Sequence, residues 1–138
     1  MPENGSVYQC DEPLVEAIAR AIATREGFYV EGSLAQRNNN PGNIRRWGSW
    51  PIRDGYVHFS VLDAGWRALR RQVALNIWKG LTLYEFFGGK PYVYYGYAPA
   101  KDNNNPKAYA EYVAKRIGVK PDEVLARVNY TAGREENA

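Results

Sequence analysis

At 138 residues with 45% hydrophobic content, the chain suffices for one domain around a continuous core and is short for two. A formal charge of +3 and a pI near 9.0 tilt its surface toward anionic partners (nucleic acid, acidic lipid or bacterial wall polymer) without choosing among them. A single cysteine, Cys10, excludes an intrachain disulfide, and with a single histidine, His58, it excludes a Cys/His zinc site; no metal or cofactor is expected.

Met1 to Cys10 reads as a loose lead-in without the basic start and apolar run of a signal peptide. No later stretch approaches the roughly 20 apolar residues that span a membrane. The chain is therefore expected to be made in the cytoplasm, to insert into no membrane, and to reach any wall substrate by a phage or secretion route. A first helix is predicted from Asp11–Pro13 to about Glu26, with Leu14, Ile18 and Ile22 as its apolar line and Val15 and Ala19 beside it. Adding four to Ile22 gives Glu26, so a carboxylate continues the buried stripe.

The asparagine-rich loop that follows contains Pro41-Gly42, which suits a type II turn with positive φ at the glycine and displays the loop amides. Asp54-Gly55 between short β-prone segments predicts a small hairpin. Ser60 is expected to start a long second helix, with Asp63 in a capping box, Leu62, Trp66, Leu69, Val73 and Ile77 at helical spacing, and Gly80 as its stop. Thr82 and Glu85 repeat the capping pattern for a short helix ending near Gly88-Gly89. The segment KPYVYYGYAP reads as an extended, partly exposed wall. Asn105-Pro106 opens another helix that stops at Gly118, Pro121–Val128 reads as a last short helix, and the tail from residue 131 is expected to be disordered.

Burial of a carboxylate without a cation favours its protonated form, as a general acid at neutral pH requires. The alternative is that fraying turns Glu26 into water or that Arg25 or Arg37 pairs with it. Glycosidases generally use a second carboxylate. Of Glu31, Asp54, Asp63 and Asp102, the first reads as a solvated loop charge, the second as a hairpin-turn residue and the third as a helix cap. Tyr92, Tyr94, Tyr95 and Tyr97 could stack on sugar rings from a groove or could serve as packing beneath a loop. His58 reads as a hairpin surface residue, since no nucleophile-elbow pattern surrounds any serine.

AIARAIATREGF, followed by Gly-Ser and a polar turn, resembles the opening of the lysozyme-like superfamily, in particular goose-type lysozymes and lytic transglycosylases. EGSLAQRNNNPGNIR, YVHFSVLDAGWRAL and YGYAPAKDNNNPKAYAEYVAKRIGV resemble a phage and bacterial muramidase branch with an NNPGN loop, over about residues 14 to 125. The resemblance implies a mainly α (α+β) fold, a lysozyme-like helical domain at 11–130 with a small β-hairpin beside the active-site cleft. It implies Glu26 as the catalytic residue, delivered by the first helix, and aligns Tyr97 with the tyrosine of the transglycosylase Tyr-Asn-Ala-Gly motif. The chain departs there, with Ala98-Pro99 after the tyrosine, and has NPGNIR in place of the Gly-Leu-Met-Gln segment.

Residues expected to contact substrate are Arg37, Asn40, Asn43, Tyr95, Tyr97, Asn104 and Tyr109. The implied activity is cleavage of the β-1,4 bond between N-acetylmuramic acid and N-acetylglucosamine in peptidoglycan, by a monomer without cofactor. Lytic transglycosylases manage with one glutamate, which would account for the lack of a second acid. A noncatalytic glycan-binding or phage structural module of the same fold is the alternative. Nucleic acid ranks last, because the arginines are spread and no recognition motif is present.

Overall fold

The computed structural model describes residues 12–131; the lead-in through Cys10, Asp11 and the tail from residue 132 lie outside the described residues. The described chain is mainly helical, with one two-stranded antiparallel hairpin. It falls into two compact units, Ile18–Val73 and the residues up to Ala17 and from Ala74 onward. Where the sequence suggested one domain, both boundaries fall inside helices rather than in a linker. Among the described residues, no helix is long and apolar enough to cross a membrane.

Helix α1 (Glu12–Arg25) contributes to both units, and within Ile18–Val73 it buries Ile18, Ile22 and Ala23. It stops as a Schellman motif: Gly27 N–H donates to the Thr24 carbonyl at 3.1 Å and Phe28 N–H to the Ala23 carbonyl at 3.0 Å, with Gly27 at φ 79. Phe28 then packs with Ala23, with Ala35 of the one-turn helix α2 (Leu34–Arg37), and with Trp66. Strands β1 (Ile52–Arg53) and β2 (Tyr56–Val57) pair Ile52 with Val57 and Arg53 with Tyr56. The tight turn between them, Asp54 at φ 54 and Gly55 at φ 87, has the two left-handed residues that suit the twist of a hairpin.

Helix α3 (Leu62–Trp78) begins two residues later than Ser60, and Asp63 lies in its first turn, where it pairs with Arg67 at 3.1 Å. Gly65 has a positional reason to be glycine. A Cβ there would fall on the Asn39 carbonyl oxygen and lie 3.0 Å from Pro41 Cδ. Backbone cannot yield as a flexible side chain does, so Gly65→Ala is expected to destabilise the protein by about 1–3 kcal/mol through overpacking, despite alanine's better helix propensity. Denaturant unfolding checks it, and equal or higher stability would contradict the close approach.

In the second unit, α4 (Leu83–Gly88) is closed by the expected capping box: Glu85 N–H donates to Thr82 Oγ1, and Thr82 N–H to Glu85 Oε1. Helix α5 (Pro106–Ile117) is capped by Asn105 Oδ1, which accepts from Ala108 N–H at 3.0 Å, and it ends at left-handed Gly118. These helices pack through Phe87 stacked on Tyr109, ring centroids 4.1 Å apart, and are linked by the Tyr84 hydroxyl donating to Glu111 at 2.9 Å. Phe86, Val113, Ile117 and Leu125 are fully buried. The last expected helix, Pro121–Val128, is reduced to a single 3-10 turn at Leu125–Arg127.

The tyrosine-rich segment is not extended. Lys90 and Tyr94 exchange backbone hydrogen bonds at 2.8 and 3.0 Å, closing a tight turn with Tyr92 at φ 65 at its tip. Tyr94 is buried, and Lys79 lies over its ring at 4.8 Å. Burial holds the Tyr94 hydroxyl above the ordinary tyrosine pKa of 10.0, outweighing a hydrogen bond with Asn76 that acts in the opposite direction. Above pH 10 the unfolded chain ionises this group while the folded chain keeps it neutral, so the stability present at lower pH is lost as pH rises. The expected loss from this residue is up to about 1.4 kcal/mol per pH unit. Unfolding curves between pH 9 and 11 should fall less steeply for Tyr94→Phe than for the wild type.

Candidate active site

Glu26 is the first residue past α1, its N–H still donating to the Ile22 carbonyl at 2.8 Å. It stands one turn beyond fully buried Ile22 and is itself half-buried. The Schellman stop fixes its backbone at the negative end of the helix dipole, the less favourable end for a carboxylate. A lysine would suit that place better, so helix stability does not account for the acid. Glu26 Oε1 accepts a hydrogen bond from Asn43 Nδ2 at 3.3 Å.

The loop that carries Asn43 is held by the three asparagines before it. Asn38 Oδ1 meets His58 Nδ1 at 3.0 Å, and the Asn38 carbonyl accepts from Phe59 N–H at 2.9 Å. Asn39 Nδ2 donates to the Phe59 carbonyl at 2.9 Å. Asn40 is completely buried, its Nδ2 donating to the carbonyls of Ile44 and Val57 and its Oδ1 accepting from Ile44 N–H, each at 2.9 Å. Consecutive side chains thus lash the loop to the segment running out of β2. The expected display of amides is corrected, because these side chains turn inward. The positive φ expected at Gly42 falls instead on Asn39 (φ 52) and Asn43 (φ 47), so the turn closed by Asn43 N–H and the Asn40 carbonyl is not of type II.

Beside Glu26 in sequence, Phe28 meets Trp66 edge-on at 5.5 Å, and the Arg70 guanidinium lies 5.4 Å from the Trp66 ring centre. Tyr29 is exposed and packs edge-on against Phe28 at 5.2 Å. This unit therefore offers a half-buried carboxylate, an amide donor on it, and aromatic surface carried by the residues around it.

Of the expected substrate contacts, Asn43 is brought to Glu26. Asn40 is not available to a ligand, since all its polar capacity is spent inside the loop; it positions rather than binds. Arg37 is exposed at the end of α2, its Nε donating to the Gly32 carbonyl at 3.1 Å. Tyr95, Tyr97, Asn104 and Tyr109 belong to the second unit. Tyr95 is exposed and leans on Tyr94 at 4.8 Å. Tyr97 is half-buried beside Phe86 and Phe87. Asn104 is exposed, its Nδ2 3.4 Å from the Pro99 carbonyl. Tyr109 is a core residue, 4% exposed and stacked on Phe87, and so is corrected from substrate contact to packing.

His58, expected on the hairpin surface, is half-buried and tied to Asn38. Gly65 and the Phe28–Trp66 pair escaped the sequence reading. An isolated glycine inside an otherwise good helical pattern was the available signal for the first. No protein-family model, curated protein sequence or solved structure matches the chain.

Proposed function

We propose that this chain cleaves the β-1,4 bond between N-acetylmuramic acid and N-acetylglucosamine in peptidoglycan, with Glu26 as both acid and base. The observation that carries the reading is a half-buried carboxylate at the unfavourable end of α1, touched by a neutral amide on a loop fastened at every asparagine. The resemblance of the TREGF and NNNPGN segments to the lysozyme-like superfamily supplies the substrate class, and the basic surface suits an anionic wall.

In this reading Glu26 protonates the glycosidic oxygen as the bond to C1 breaks. The resulting carboxylate then takes a proton from the incoming nucleophile. That nucleophile is the muramyl C6 hydroxyl in a transglycosylase, giving a 1,6-anhydro end, or water in a hydrolase, giving a reducing end. The other acids considered have local roles or open surroundings: Asp54 occupies the hairpin turn, Asp63 pairs with Arg67, and Glu31 and Asp102 are exposed. This favours the one-carboxylate, transglycosylase route.

The test is incubation of the purified protein with peptidoglycan sacculi and mass spectrometry of the soluble products. Anhydromuropeptides are the expected result. Reducing ends would make the protein a hydrolase, and sacculus binding without release would move it to a noncatalytic glycan-binding module.

A further inference from the structure

Two departures from ordinary chemistry fall on Asn43. Its backbone is left-handed at φ 47, and its Oδ1 is buried without a hydrogen-bond partner. A left-handed residue is least strained as glycine, yet the neighbouring glycine, Gly42, is not the one at positive φ. Loop shape alone would be met better by glycine at 43. A buried carbonyl oxygen left unserved adds a further cost, which is tolerated when the other end of the amide is needed where it points. That other end, Nδ2, points at Glu26 Oε1.

We infer that Asn43 is the positioning residue for Glu26. The strained backbone aims the side-chain amide, and the amide fixes the direction of the carboxyl group. Asn38, Asn39 and Asn40 hold the loop against the Val57–Phe59 segment, and Gly65 lets α3 approach the Asn39 carbonyl, so the aim is set by contacts distributed around the loop. Asn43 acts through Glu26 and not on the sugar. The kinetic half of this inference rests on the reaction proposed above, and the structural half does not.

The structural half is read without substrate, from the side-chain amide resonances of Asn43 in the ¹H–¹⁵N spectrum of the full chain. Glu26→Gln replaces the carboxyl acceptor by an amide and is expected to move them; unmoved resonances would overturn the inference. The kinetic half uses soluble glycan fragments of sacculi and two variants. Asn43→Gly suits the left-handed backbone and deletes the amide; Asn43→Asp keeps the shape but replaces the neutral amide by a second carboxyl group that would share a proton with Glu26. Either is expected to lower kcat by about 10- to 100-fold, as misplacement of a catalytic group does, with KM little changed. A raised KM at unchanged kcat would make Asn43 a sugar contact and overturn the positioning role, as would full activity of a folded variant. Should the wild type release nothing, the reaction fails while the resonance test still decides whether Asn43 holds the carboxylate.

Discussion

Glu26→Gln is expected to lower muropeptide release from sacculi by about 100- to 10,000-fold, the range that general acid–base catalysis supplies. Glutamine can neither give a proton to the leaving oxygen nor take one from the nucleophile, so both halves of the reaction lose their proton carrier. The contact with Asn43 need not be lost. The substituted side chain would retain an oxygen for Asn43 Nδ2. Lost release by a variant that still unfolds cooperatively separates chemistry from architecture. Equal release by the variant and the wild type would remove Glu26 as the catalyst.

Asn40→Ala is expected to be the most damaging of the asparagine substitutions to stability. It strands the Val57 carbonyl and the Ile44 N–H, while the Ile44 carbonyl keeps its bond from Val57 N–H at 2.8 Å. Buried groups left unserved cost about 1–3 kcal/mol each, so a loss of about 2–5 kcal/mol is expected, a large part of a small protein's margin. Asn39→Ala removes one bond from a less buried position and should cost about 1 kcal/mol. Urea unfolding of the two variants tests the ranking. A smaller effect at Asn40 than at Asn39 would mean that the loop is not organised around the buried amide.

What the sequence revealed was local, and what it hid was not. The Asp54-Gly55 turn, the Thr82–Glu85 capping box and the Asn105-Pro106 cap were legible because each is decided within four residues. The end of α1 was legible for the same reason, and with it the half-buried position of Glu26. The inward use of Asn38, Asn39 and Asn40 was not, since the bonds that tie them to Val57, His58 and Phe59 span 17 to 20 residues and an asparagine run before Pro-Gly reads equally well as a solvated turn. Tyr92 at positive φ contradicts residue preference outright, and the turn it caps is closed by a backbone pair that no side-chain pattern announces. Tyr109 shows the limit of residue type: the same amphipathic ring serves a sugar face or a core, and stacking on Phe87 decided it.

Asn40 is followed by Pro41. An asparagine ages to aspartate when the next residue's backbone nitrogen attacks its side-chain carbonyl and closes a five-membered imide, and a prolyl nitrogen, having no hydrogen, cannot take that path. The damage avoided would be severe, because an aspartate at that depth would turn a carboxylate oxygen toward the carbonyls of Ile44 and Val57. The peptide bond after the buried amide therefore closes that route however tightly the surrounding loop is held.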